Sequence, residues 1–305
     1  MKIVFMGTPD FAAVSLEKLY GDGREIAAVF TQPDRPKNRG KKLAMSPVKE
    51  LAMAHGTPVY QPETLHGGEA EQVLRRIGPD LIIAVAYGKL LPRSILEIPP
   101  CGCVNIHGSV LPRYRGSAPI QWTVLNGDTV AGVTAMYMGE GMDTGEIIAV
   151  KTVPVGEKET AGELFDRLAL LGGELLLETV AAIESGHAVS VPQNEAEATY
   201  APPLTKALCP IDWSQTGRQI VKHVCGLNPW PVATAVIGGA ELKIYDADAT
   251  DRKTGKAPGT IVAAGKDGIE VACADGTVII RELQAPGKRR MAAADYLRGH
   301  PLKST

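Results

Sequence analysis

Short apolar runs alternate with helix-period segments through the first 186 residues, and this alternation limits the fold more than any other feature. KIVFMG, REIAAVFT, DLIIAVAYG and GCVNIHG have buried-strand character. Helical patterns separate or follow them: TPDFAAVSLEKLY, SPVKELAMAHG, GEAEQVLRRIG and SAPIQWTVLNG. Thr8 is placed to cap the first helix, with Pro9 at its first position and Asp10 at the positive end of its dipole. Ser46 is placed to cap the second. GVTAMYM and GEIIAVKTVPV read as strands, and TAGELFDRLALLGGELLLETVAAIESG as one long helix. The pattern predicts a Rossmann-like α/β domain over residues 1–186, built on a mostly parallel sheet.

The alternation stops at HAVSVPQNEAEATYAPPLTKALCP, which is rich in Pro and has little periodicity. Residues 187–205 are therefore expected to link two domains. After one helix, SQTGRQIVKHVCGL, and the turn NPWP come VATAVIGG, ELKIYDA, GTIVAAG, GIEVACADG and TVIIREL. Short β segments with Gly-rich turns predict a smaller all-β domain over residues 206–305, an OB-like barrel.

A length of 305 residues suits two such domains. Charge divides with them. Residues 1–205 carry 18 Lys and Arg against 24 Asp and Glu, and residues 206–305 carry 14 against 10. The basic rear half suits a polyanion, although uneven solvated surface reads the same way. Five Cys, with only Cys101 and Cys103 close together, suggest reduced thiols in a cytosolic protein rather than a disulfide framework or a metal site. The six His are scattered, so no metal is expected. No apolar run is long enough to span a bilayer, and no membrane partner is expected.

GTPDF follows the first strand, but no G-x-G-x-x-G does, so a dinucleotide is not indicated. Sites in such sheets gather at the carboxyl ends of strands. NIHGSVLPRYRG lies at such an end, and period two puts Asn105 and His107 on one side of their strand. An amide can donate to a developing oxyanion, and an imidazole can donate or move a proton. Asp143, in the turn GMDTG, is the best candidate to hold the imidazole. An Asn, a His and an Asp without a nucleophilic Ser or Cys favour direct attack by a substrate nucleophile. The same residues also fit an ordinary turn, and spacing alone leaves both readings open.

NIHGSVLPRYRGSAPIQW followed by GMDTG resembles the signature of the 10-formyltetrahydrofolate-using transferases. The opening GTPDFA, the basic TQPDRPKNRGKKL and the later IDW and NPWP are similar to the branch that formylates methionyl initiator tRNA. The resemblance runs through nearly the whole chain and implies roles. Asn105, His107 and Asp143 match the catalytic trio. Ser109, Val110, Leu111 and Pro112 match a folate-contacting loop. VAYGKLLP, with Ala86, Tyr87 and Leu91, matches a second wall of the folate pocket. The implied partners are 10-formyltetrahydrofolate as co-substrate and initiator methionyl-tRNA, handled by a monomer.

RPKNRGKK holds Arg35, Lys37, Arg39, Lys41 and Lys42, and with Pro36 and Gly40 it cannot form a stable helix. Such a run is commonly a solvated loop; the resemblance implies an arm that contacts the acceptor stem. The resemblance also implies a linker rich in Lys and Glu, whereas here Lys206 is the only charge between Tyr200 and Asp212. Lys222, Lys288, Arg289 and Arg290 are further candidates for phosphate contacts. Phe11, Met45 and Met142 are candidate walls for a methionine side chain. Alternatives are a formyltransferase acting on a sugar-nucleotide amine, an RNA-binding protein on an enzyme scaffold and a nicotinamide dehydrogenase; the basic run favours the tRNA reading over the first.

Overall fold

The computed structural model describes residues 1–37 and 42–302. They group into two compact units. The first comprises Met1–Pro119, Ala131–Val153 and Phe165–Ala201, and the second Ile120–Val130, Pro154–Leu164 and Pro202 onward. Segment 187–205 is thus divided: its residues to Ala201 belong to the first unit and those from Pro202 to the second.

The first unit begins with strand β1 (Lys2–Gly7), helix α1 (Asp10–Gly21) and β2 (Glu25–Phe30). A hairpin of β3 (Arg35–Lys37) and β4 (Lys42–Ala44) follows, then α2 (Pro47–Ala54), β5 (Val59–Tyr60), α3 (Glu69–Ile77) and β6 (Leu81–Val85). Next along the chain come α4 (Arg93–Leu96), β7 (Cys103–His107), β8 (Arg115–Gly116), α5 (Pro119–Leu125), which from Ile120 belongs to the second unit, β9 (Val130–Tyr137), β10 (Ile147–Pro154) and α6 (Ala161–Glu184), which joins the first unit from Phe165. Seven strands make one sheet in the order β10-β9-β7-β6-β1-β2-β5. β7, β6, β1, β2 and β5 pair in parallel, and β9 lies antiparallel to β7.

Both faces of the central strands are covered, which is why they read as unbroken apolar runs. Val4, Met6, Ile82 and Ala84 pack in one cluster with Leu74 of α3 and Ile95 of α4. Alternation sends Ile3, Phe5 and Ile83 to the opposite face, and all three are fully buried. Phe11 of α1 is in that core, edge-on to Phe165 at 5.3 Å, rather than on a pocket wall.

Two helix starts show how local chemistry acts. Ser46 caps α2, its hydroxyl accepting from Lys49 N at 3.1 Å, a contact worth about 1 kcal/mol. Thr8, expected to cap α1, does not: Pro9 is the cap residue. The Thr8 hydroxyl instead accepts from Gln32 N at 3.3 Å and points to Tyr87 O at 3.4 Å, where β1, β2 and β6 end together. Gly7 lets α1 come that close, since a Cβ there would sit 2.6 Å from Ala12 Cβ.

Segment 187–201 is bound throughout to the first unit. Val191 and Ile147 exchange backbone hydrogen bonds at 2.8 Å, and β11 (Tyr200–Ala201) pairs in parallel with β8.

The second unit holds α7 (Gly217–Gly226), closed by a capping box between Thr216 and Gln219, and then an antiparallel sheet. Its strands are β12 (Ala233–Ile237), β13 (Ala240–Thr250), β14 (Ile261–Gly265), β15 (Gly268–Ala272) and β16 (Thr277–Gln284), in the order β12-β13-β16-β15-β14. β17 (Met291–Ala292) pairs with β16 and leads into α8 (Ala293–Gly299), a helix the sequence pattern did not reveal. Among the described residues, no helix is long and apolar enough to cross a membrane.

Candidate active site

Asn105 and His107 sit on β7, in the middle of the sheet. Asn105 is flanked by Ala84 of β6 and Met136 of β9, and His107 by Thr134 of β9. Asn105 is half-buried, and its amide makes no hydrogen bond among the described residues. His107 is 6% exposed. Its Nε2 lies 2.9 Å from Tyr114 O, and its Nδ1 lies 3.7 Å from Asp143 Oδ1. A backbone carbonyl only accepts, so Nε2 carries a proton and Nδ1 faces the carboxylate. Tyr114 and Asp143 therefore hold the ring between them, with Tyr114 making the closer contact.

Both residues that touch the ring are strained. Tyr114 has φ +60° and Asp143 φ +54°, in the left-handed region that side chains with a Cβ rarely adopt. Such outliers persist only where the surroundings enforce them. Around Tyr114, its N–H donates to Thr199 Oγ1 at 2.9 Å, and Arg115 N donates to Thr199 O at 2.8 Å. Around Asp143, Oδ2 accepts from Gly116 N at 2.8 Å. Gly145 closes the turn, where a Cβ would fall 1.6 Å from Tyr137 O. That close approach explains the second glycine of GMDTG.

The loop after His107 is braced from within. Ser109 donates to Arg113 O at 2.6 Å, and the Thr134 hydroxyl donates to Ser109 O at 2.6 Å while accepting from Leu111 N at 3.1 Å. Ser109 and Leu111 are buried, and Val110 and Pro112 are half-buried. The Ser109 hydroxyl is thus spent on the loop. The two arginines of PRYRG part company: Arg113 is exposed, whereas Arg115 is fully buried and bound to Glu195. Arg115 belongs to the support of the site and not to a basic surface.

A cavity of about 670 Å³ opens at the carboxyl ends of β1, β2 and β6, beside the β3–β4 hairpin; its lining includes Gln32, Arg35, Met45, Ala86, Tyr87 and Lys89. Ala86 is exposed, with φ +44°. Tyr87 is buried, its hydroxyl has no hydrogen-bond partner among the described residues, and burial pushes its phenol up to about 12. Leu91 packs in the core cluster beside Tyr87. Met142 is exposed, 51% open to solvent. Among the described residues, no group of His, Cys, Asp and Glu is arranged to hold a metal.

Of the basic run, Arg39 and Lys41 lie outside the described residues. Arg35 begins β3 and is exposed, and Lys37 faces Lys42 across the backbone of the β3–β4 hairpin. Lys206 is exposed on a 3-10 turn of the second unit and forms no ion pair with a described residue. Several other cations of that unit are engaged. Lys222 is buried, with its ammonium on Gly156 O at 3.3 Å and Glu157 O at 2.6 Å. Arg252 pairs with Glu270, Arg281 with Asp248 and Arg290 with Glu282. Lys222 is therefore a structural tie, and the basic balance overstates the free charge of the surface.

Gln193, Glu195 and Thr199 support the site and were not singled out by the sequence pattern. The only local sign was a cluster of polar side chains, QNEAEAT, in a stretch without periodicity.

A sheet with Asn and His at a strand end and an Asp turned toward the His defines a class. The family described as Formyl transferase matches residues 1–180, and Formyl transferase, C-terminal domain, matches residues 203–301. Relatives over the whole length narrow it. The chain is 48% identical to a methionyl-tRNA formyltransferase of Trichlorobacter lovleyi over 99% of its length and 95% of the relative's. It is 48% identical to one of Acetivibrio thermocellus over 99% and 97%. The chain belongs to the methionyl-tRNA formyltransferase family. Among solved structures, WlaRD, a sugar 3N-formyl transferase, superposes with a TM-score of 0.70 at 18% identity, covering 95% of this chain and 99% of that one. A HypX variant from Aquifex aeolicus gives 0.67 at 20% identity, covering 100% of this chain and 49% of that one. At these identities the likeness is one of fold.

Proposed function

We propose that the chain transfers the formyl group of 10-formyltetrahydrofolate to the α-amino group of methionyl initiator tRNA for the start of translation, acting as a monomer in the cytosol. The observation that carries this reading is the facing of His107 and Asp143 at the end of β7, with Asn105 on the same side of that strand and its amide without a hydrogen bond to any described residue. Such a set suits a reaction in which the substrate itself supplies the nucleophile.

An α-amino group titrates near ~8, so a fair fraction is neutral and nucleophilic at neutral pH. Its nitrogen bonds to the formyl carbon, the carbonyl electrons move to oxygen, and the bond to N10 then breaks. The protein's tasks are to position the two reactants and to stabilise the oxyanion. Asn105 donates to that oxygen. His107 moves the proton from the attacking amine toward the departing N10. Nδ1 is the nitrogen suited to that transfer, because Nε2 is tied to Tyr114 O. Asp143, facing Nδ1, orients the ring for that transfer.

Val110 and Pro112 of the braced loop and the exposed Ala86 offer surface to the folate. Tyr87, with a hydroxyl lacking a partner among the described residues, stands beside Ala86 on the cavity wall. Arg35, Lys37, Arg39, Lys41 and Lys42 are assigned to the acceptor stem, with Lys206 as a further phosphate contact. The deciding experiment supplies 10-formyltetrahydrofolate with methionyl initiator tRNA, methionyl elongator tRNA or free methionine. Formylation of the initiator alone supports the reading. No transfer to any of the three, with folate still bound, directs the chemistry to a sugar-nucleotide amine instead.

A further inference from the structure

Gln193 connects a buried charge to the turn that carries Asp143. Its Oε1 accepts from Arg115 Nε at 3.1 Å and Nη2 at 2.8 Å. Its Nε2 donates to Asp143 O and to Gly145 O, both at 2.8 Å. This fixes which way the amide points. Turned over, it would set its oxygen against two carbonyls and its N–H groups against a guanidinium. Arg115 in turn is fully buried and gripped by Glu195, with Nη1 at 2.9 Å and Nη2 at 2.7 Å from the two carboxylate oxygens. The guanidinium is a fixed post, and Gln193 is the brace between that post and the 143–145 turn.

Asp143 needs such a brace. Its left-handed backbone is unfavourable for a residue with a Cβ, and its carboxylate must face a ring that Tyr114 has already fixed. Two hydrogen bonds to the carbonyls on either side of Thr144 hold the turn in the one geometry that presents Oδ1 to His107. We propose that Gln193 is a positioning residue for the reaction, acting through Asp143. The proposal rests on the formyl-transfer reading above.

Gln193→Glu separates this role from simple packing. It keeps an oxygen for Arg115 and removes both donors from the turn. Single-turnover and steady-state formyl transfer are measured for the wild type, Gln193→Glu, Asp143→Asn and the double variant. The role requires kcat to fall at least about tenfold in Gln193→Glu, with KM for both substrates within about twofold. It also requires the double variant to be no more than about twofold slower than Asp143→Asn alone, since the two substitutions break one linkage. Gln193→Met, neutral and of similar length, is the second variant, and any variant that melts early is assayed below its melting temperature. A wild-type kcat in either folded variant overturns the proposal. So does a raised KM with kcat unchanged, or losses that multiply in the double variant. A wild type that transfers no formyl group removes the functional reading and this role with it, whereas unaffected variants of an active wild type remove the role alone.

Discussion

Asp143 turns one carboxylate oxygen to Nδ1 of His107, at 3.7 Å, and the other to the backbone N–H of Gly116, at 2.8 Å. The second contact is a proper hydrogen bond; the first is longer than one, as catalytic contacts often are before substrate arrives. Asp143→Asn can keep an acceptor for Gly116 while removing the charge that faces His107. The expected result is a kcat lowered about a hundredfold, the size of a lost charge-stabilising group, with a melting temperature close to wild type. Steady-state kinetics and a thermal melt test this together; an equal loss of folding and activity would show that Asp143 is only a turn residue.

The basic run between β3 and β4 is expected to act on the RNA and not on the folate. Arg39→Ala should raise KM or lower kcat for initiator tRNA at least about tenfold while folate binding stays unchanged. Lys206→Ala should weaken tRNA binding more modestly and reduce its salt dependence by about one counterion, as expected for a single phosphate contact. Binding titrations at several salt concentrations give both numbers. Unaltered tRNA parameters in Arg39→Ala would remove the run from the interface.

Arg115 holds the Glu195 carboxyl below the usual carboxylate range, chiefly by hydrogen bonding. The sign follows from linkage. A depressed folded-state value contributes stability that is fully present above the unfolded value of about 4.3 and is lost as pH falls through the folded one. Because Glu195 is 69% exposed, the contribution is modest. Urea midpoints of the wild type and Glu195→Gln should therefore differ most between pH 5 and 7, in the sense of a more stable wild type, and converge as pH drops below about 4. A difference that persists unchanged at low pH would contradict the charge pairing.

Burial raises the thiols of Cys103, to about 12, and Cys225, to about 11, and those of Cys209 and Cys273 as well. All five cysteines are free, and Cys101 alone is more than slightly exposed. Iodoacetamide at pH 8 should label Cys101 in the native protein and reach the other four only after unfolding. Peptide mapping reads this directly; early labelling of Cys103 would mean that the strand below Asn105 opens in the native state.

The sheet was legible because parallel strands covered on both faces must be apolar throughout, as Ile3–Met6 and Leu81–Val85 are. Asn105 and His107 were legible for a related reason: period two places them on one side of a strand whose end faces the site. What local pattern could not carry was pairing over long separations. Arg115 meets Gln193 and Glu195 across 78 and 80 residues, so local pattern gives the arginine no role and places its partners in a linker. Thr8 failed as a cap because the ends of three strands offered it other partners. The short helix α8 has too few turns for a periodic signal.

The measurement that bears most directly on the account is the single-turnover rate of formyl transfer in His107→Ala, with saturating 10-formyltetrahydrofolate and methionyl initiator tRNA. If His107 moves the proton between the two nitrogens, the rate falls by about two to four orders of magnitude, while titrations show both substrates bound as in the wild type. A folded His107→Ala protein that transfers the formyl group at close to the wild-type rate would contradict the assignment, and with it the roles given to Asp143 and Gln193.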